Sequence, residues 1–268
     1  MTGPSFTGRR YLVTGVLNEE SIAWHAAAAL QRHGAQVVLT SFGRAARLAR
    51  KAAALLPEPA ELHELDVTRP EMFDQLAQAL AADGGRLDGA VHCIAAAEPT
   101  ALGGQFLDTG VAALEAGFRV SVASFQQLTA ALLPLLSAAP GGGSVVGLTV
   151  DSARALPGYD WMGVYKAALD AATRYTALYA GRHGVRANLV ASGPLLTVSA
   201  QAVPSFDDLA RYYEDWAPLG WDRADPEQVV GAVLFLLSDW SRSTSGQIVH
   251  ADGGTHAVAG GIGKPSRQ

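Results

Sequence analysis

Cysteine is nearly missing from this chain of 268 residues, and the single one, Cys93, excludes an intrachain disulfide. It sits in an apolar run, AVHCIAAA, where a small hydrophobic side chain is the plain reading. Charge is sparse at 17% of residues and sums to −5, so the clustered basic surface of a nucleic-acid or anionic-membrane binder is not expected. The one basic cluster, RAARLARK from Arg44 to Lys51, has helical spacing and reads as a solvated face. No apolar run reaches the ~18 residues that span a bilayer, and MTGPSFTGRR has no signal-peptide core, so a cytoplasmic protein without a membrane partner is expected. The seven histidines show no H-E-x-x-H or Cys/His ligand spacing, which argues against a metal site. The glycine fingerprint G-x-G-x-x-G is also missing after the first apolar run.

Hydrophobic residues, in contrast, make up 49% of the chain, enough for a large buried core. Apolar, β-branched runs at 10–14, 36–40, 61–67, 87–94, 144–150, 186–190 and 247–251 read as strands. Helix-compatible segments at 21–33, 43–56, 70–82, 114–137, 164–184 and 226–238 alternate with them. Such alternation predicts an α/β fold: one doubly wound, Rossmann-type domain over 1–268, with a seven-stranded parallel sheet in the order 3-2-1-4-5-6-7 and helices on both faces. Two connections interrupt the rhythm, 96–109 and 193–225, and both follow carboxyl ends of strands, where open α/β sheets bind ligands.

Three local patterns carry candidate chemistry. After the first strand, Gly15 ends the run and Ser21 stands where it caps the next helix, ahead of Ile22. A helix start offers unpaired N–H groups to a pyrophosphate, and an ordinary strand–turn–helix joint fits equally well. After the second strand, no acidic residue stands ready for an adenosine ribose. Phe42 could lie on an adenine and Arg44 could accept a 2′-phosphate, so both nicotinamide cofactors stay open; Asp66 and Val67 close the third strand as an adenine edge or a local cap. The third pattern is Tyr159 and Lys166, seven apart and nearly two helical turns. They share one face with Met162, while Tyr165 points about 100° away from Lys166. A nearby ammonium eases formation of a phenolate, although a half-buried tyrosine at this spacing also arises by chance.

The chain resembles the enoyl-acyl-carrier-protein reductases of the short-chain dehydrogenase/reductase superfamily, and within them the branch of the long-chain, mycolic-acid enzymes. The residues that carry the resemblance are Gly15-x5-Ser21-Ile22-Ala23, Leu65-Asp66-Val67, His92-Cys93-Ile94, Pro157-Gly158-Tyr159-Asp160-Trp161-Met162-x3-Lys166, Gly193-Pro194 and Asp252-Gly253-Gly254. Most of the superfamily uses Tyr-x3-Lys; counting back four from Lys166 gives Met162, and the reductase spacing Tyr-x6-Lys holds.

The resemblance implies hydride transfer from NADH, less readily NADPH, to the β carbon of a trans-2-enoyl thioester on an acyl carrier protein or coenzyme A. It implies that Tyr159 stabilises the enolate and that Lys166 holds the nicotinamide ribose. It also implies cofactor contacts from Gly15, Ser21, Ile22, Phe42, Asp66, Val67, Ile94, Ala95, Thr149, Gly193, Leu195 and Thr197, and substrate contacts from Ala96, Val150 and Met162. A lid around 194–222 and a homotetramer built partly through the tyrosine helix and the segment 246–262 belong to the same expectation.

Departures concern the acyl pocket: Val150 replaces the family's usual aromatic, Ala96 replaces a bulky aromatic of the long-chain branch, and the region after Thr197 is shorter. A shorter lid favours shorter acyl chains. Two rival readings remain: a superfamily member acting on a carbonyl or alcohol, with Tyr159 as general acid, and a non-catalytic nicotinamide-binding protein, for which Val150 speaks.

Overall fold

The computed structural model describes residues 5–260. Residues 1–4 of the N-terminal reading and 261–262 of the expected interface segment lie outside the described residues.

Seven strands form one sheet: β1 (Arg10–Thr14), β2 (Gln36–Ser41), β3 (Glu61–Glu64), β4 (Gly89–His92), β5 (Ser144–Thr149), β6 (Arg186–Ser192) and β7 (Ile248–Ala251). The order is β3-β2-β1-β4-β5-β6-β7 and every pairing is parallel, as the strand–helix alternation predicts. The order in which successive strands are added reverses between β1 and β4, so the crevice opens at their carboxyl ends.

Side chains on a strand alternate between faces, and the two cores follow that period. Tyr11 and Val13 of β1, with Val37 and Leu39 of β2, meet helices α1 (Ile22–Arg32) and α9 (Glu227–Leu237). Leu12 and Val38 point to the opposite core, shared with α3 (Glu71–Ala82), α5 (Ser124–Ser137) and α6 (Asp160–Ala180). Four consecutive buried alanines, Ala26–Ala29, let α1 lie close to the sheet. Helix α2 (Ala45–Ala54) buries Ala49, Ala52 and Ala53 and exposes Arg47, Arg50 and Lys51, the solvated basic face expected from its sequence.

Several boundaries differ from the periodic reading. The third strand stops at Glu64 rather than running to Val67, because Asp66 turns the chain by accepting from the Thr68 N–H and hydroxyl at 2.9 and 2.7 Å. The fourth covers only Gly89–His92, since β1 pairs with it over three residues. Helix α6 begins at Asp160, four residues earlier than expected. Helix α4 (Val111–Phe118) joins α5 through a π-helical turn, Arg119–Ala123. The continuous helix Val111–Ser137 does have the length and apolar composition to cross a membrane, contrary to expectation; half of its most apolar stretch is buried, and α5 packs on α3 and α6 as a core helix. The long connection after β6 is partly helical, with α7 (Val198–Gln201) and α8 (Phe206–Trp216).

Candidate active site

A cavity of about 420 Å³ opens at the carboxyl ends of the central strands. Its floor starts at Gly15, whose φ is +84° and where a Cβ would lie 2.1 Å from the Cys93 carbonyl oxygen. Only glycine lets the β1 exit pass so close to the β4 exit. Ser21 and Ile22 follow in the wall.

Ser21 occupies the N-cap position, but its hydroxyl does not cap α1. It accepts instead from the Leu17 and Asn18 N–H groups, both at 3.2 Å, and donates to the Asn18 side chain at 3.1 Å. The hydroxyl therefore braces the turn and leaves the first N–H groups of the helix free for an anion.

The β4 exit contributes Ile94, Ala95 and Ala96. Ser121, on the π-helical turn, holds Ala96 in place by accepting from its N–H at 2.9 Å and donating to its carbonyl at 2.8 Å. The β5 exit contributes Thr149 and Val150, and the β6 exit contributes Gly193, Leu195 and Thr197. Thr197 caps α7 by accepting from Ala200 N–H at 3.2 Å.

Tyr159, Met162 and Lys166 line the same cavity, and Tyr165 does not. Tyr165 is 2% exposed and packs its ring against Gly117, where a Cβ would approach within 2.4 Å. The reading that placed Tyr159 inside the helix needs correction. Tyr159 is the residue before α6, and Asp160 adopts a left-handed φ of +44°. That strained turn is tied down: the Asp160 carboxylate accepts from Gly104 N–H at 2.6 Å, and the Trp161 indole donates to the Phe106 carbonyl at 3.0 Å. Pro204 and Ser205 close against Gly103 and Gly158 from the other side.

Electrostatics in the cavity is set by burial. Tyr159 is half-buried overall, with its hydroxyl deep in the wall, and burial pushes the phenol well above its ordinary value. The expected easing of a phenolate by the ammonium is thus overridden, and the hydroxyl stays a proton donor. Lys166 is buried and pulled down to about 8 by desolvation, against the opposing influence of Cys93 and Asp170. Its ammonium donates to the Leu148 carbonyl at 2.8 Å. Cys93, taken from the sequence as a packing residue, lines the cavity, and burial raises its thiol to about 12. Beneath it His92 is buried, held neutral by desolvation at about 3, with Nε2 2.8 Å from the Ser124 hydroxyl.

Phe42, Asp66 and Val67 stand apart from this wall. Phe42 follows β2 and is 46% exposed, Asp66 caps its own turn, and Val67 is buried in the core. Residues that sequence reasoning passed over are Phe206, Leu209 and Tyr213 of α8, which roof the cavity with Val203. Their spacing, with Ala210, is i, i+3, i+4 and i+7, an amphipathic signal obscured by the five charged residues that share the helix.

The sequence pattern described as enoyl-(acyl carrier protein) reductase matches residues 15–256. The chain belongs to the enoyl-acyl-carrier-protein reductase family. Among its relatives, an NADH enoyl-acyl-carrier-protein reductase of Mycobacterium avium is 41% identical over 260 residues, covering 92% of this chain and 96% of the relative. One of Mycolicibacterium smegmatis is 40% identical, covering 95% and 98%. One of Bacillus subtilis is 32% identical, again covering 95% and 98%. The reductase family's Tyr-x6-Lys spacing here runs across the left-handed turn at Asp160 into the first turns of α6, with both side chains in one cavity wall.

Proposed function

We propose that the protein is an enoyl-acyl-carrier-protein reductase that saturates the double bond of a trans-2-enoyl thioester with NADH. The observation that carries this reading is the pairing of a protonated Tyr159 hydroxyl with the Lys166 ammonium in one largely apolar cavity. Reduced nicotinamide, when bound, supplies the hydride to the β carbon. The residues present fit that group. Unoccupied N–H groups at the start of α1 suit a pyrophosphate, and Gly15, Ile94, Ala95, Thr149, Gly193, Leu195 and Thr197 line the path across the sheet edge. Phe42, Asp66 and Val67 are assigned to the adenine end.

Tyr159 donates its hydroxyl to the thioester oxygen, where negative charge grows as the enolate forms. A donor fixed in a water-poor wall stabilises that charge more than the ground-state carbonyl. Lys166, anchored on the Leu148 carbonyl, directs its remaining protons at the ribose hydroxyls and holds the cofactor in register. Ala96, Val150 and Met162 present apolar surface to the acyl chain. The carrier is an acyl carrier protein, with coenzyme A as the alternative.

The chain is read as one oxidoreductase domain whose residues 194–222 act as the substrate lid, working in the cytoplasm as a homotetramer. Exposed Tyr175, Leu178 and Tyr179 on α6, and the half-exposed strand β7, support such an assembly, which sedimentation in solution tests.

Loss of reduced-nicotinamide absorbance with a trans-2-enoyl thioester tests the reaction. Tyr159→Phe is expected to lower kcat by about 10²–10³, the usual effect of removing an oxyanion donor. Oxidation of an alcohol without enoyl reduction, or cofactor binding without any turnover, would replace this reading by one of its rivals.

A further inference from the structure

Asp170 is a buried carboxylate, 7% exposed, that the reaction above does not use. It lies one helical turn after Lys166 on α6, so the two side chains rise from the same face with Cβ atoms about 5–6 Å apart. Its oxygens are both engaged from outside the helix. One accepts from the Thr149 hydroxyl at 3.1 Å, and the other accepts from the Ser152 hydroxyl. Thr149 ends β5 and lines the cavity; Ser152 stands in the connection that leads on to Tyr159.

We propose that Asp170 is a positioning residue for the reaction: its carboxylate clamps the start of the β5–α6 connection through Thr149 and Ser152 and supplies the counter-charge of the Lys166 ammonium. The clamp fixes two parts of the cavity wall with one group, since Thr149 ends β5 and Ser152 stands in the connection, while Lys166, one turn back on α6 and bonded to the Leu148 carbonyl, feels the carboxylate through space. The counter-charge matters because the ammonium is enclosed. Its polar neighbours are the Leu148 carbonyl on β5, His92 at the end of β4, Cys93 just after it, and Asp170 on its own helix. Cys93 is a thiol at neutral pH and His92 is neutral, so among the described residues the carboxylate that acts on the ammonium is that of Asp170. Asp170 itself is faced by Lys166 and Arg174 of α6, and it acts in turn on His250 of β7, which Asp151 of the connection also influences. Burial raises the Asp170 carboxyl, and the two hydroxyl donors and the cations pull it back down.

The role assigned to Lys166 and Thr149 rests on the reductase reading; the test is chosen to separate the two. The chain has only three lysines, Lys51, Lys166 and Lys264, so a protein labelled with carbon-13 at lysine Cε gives a spectrum in which Lys166 is followed alone as pH is raised. This titration uses cofactor-free protein and does not depend on turnover.

In the wild type the Lys166 midpoint is expected near 8. In Asp170→Asn it is expected to fall by about one unit, a tenfold loss of proton affinity, and in Asp170→Glu to stay near the wild-type value. If enoyl turnover is present, the alkaline limb of kcat/KM moves down with the midpoint. Asp170→Ser serves the same comparison where the Asn variant does not fold. Ser152→Ala is expected to keep the midpoint and lower kcat/KM several-fold by loosening the connection. A midpoint within 0.2 units of wild type in the neutral variants, or an equal fall in Asp170→Glu, overturns the counter-charge. Full kcat/KM in Ser152→Ala overturns the clamp. Failure of enoyl turnover with the lysine titration as expected overturns the reductase reading and leaves the pairing in place.

Discussion

Gly193→Ala probes how tightly the nicotinamide side of the cavity is built. Gly193 follows β6, and a Cβ there would lie 2.7 Å from two indole carbons of Trp221 and 3.0 Å from the Tyr213 ring. Neither ring can yield cheaply. Trp221 is 8% exposed and Tyr213 3%, and the Trp221 indole N–H donates to the Pro194 carbonyl at 2.8 Å. The added methyl must push Trp221 aside or displace the segment that carries Leu195 and Thr197. Overpacking of this kind costs about 1–3 kcal/mol. Loss of the indole hydrogen bond adds about 0.5–1.5 kcal/mol. For a domain of this size, each kcal/mol lowers Tm by roughly 2–4 °C, so a fall of roughly 3–18 °C is expected. NADH binding should weaken in parallel, read as a several-fold rise in Kd by fluorescence. Gly231→Ala is the control: it lies on the exposed side of α9 with nothing within 4 Å of its Cβ, and alanine there should hold or raise Tm. Melting of Gly193→Ala within 1 °C of Gly231→Ala, with unchanged NADH affinity, would refute the steric argument.

Two further outcomes follow from the same wall. His92 is held neutral at about 3, against an ordinary 6.5, so its contribution to stability is complete above pH 6.5 and is lost as pH falls toward 3. Denaturant unfolding should show a loss of roughly 3 kcal/mol between pH 7 and pH 4 that His92→Asn largely removes; an unaltered pH slope in the variant counts against it. Catalytic efficiency should be higher for short than for long enoyl thioesters, because α7 is a single turn and Pro204 and Ser205 already close on Gly103 and Gly158; a steep rise with chain length would contradict this.

The sequence by itself determined the architecture and the pair at its centre. Near-continuous apolar strands alternating with helix-compatible segments require a parallel sheet covered on both faces, and the order found is the one that alternation predicts. Gly15, Tyr159 and Lys166 were legible because each rests on local spacing. Tertiary structure decided the rest, for reasons of distance along the chain. Strand ends depend on what the neighbouring strand offers, which is why β3 and β4 stop short. Helix α8 was hidden because Asp207, Asp208, Arg211, Glu214 and Asp215 crowd its sequence, and only the sheet edge shows that Phe206, Leu209 and Tyr213 share a buried face. The protonation of Tyr159 depends on desolvation by residues far away in sequence, not on the lysine seven positions on. Asp170 reads in sequence as one more helical carboxylate; its engagement by Thr149 and Ser152 exists only once β5, its connection and α6 are packed together.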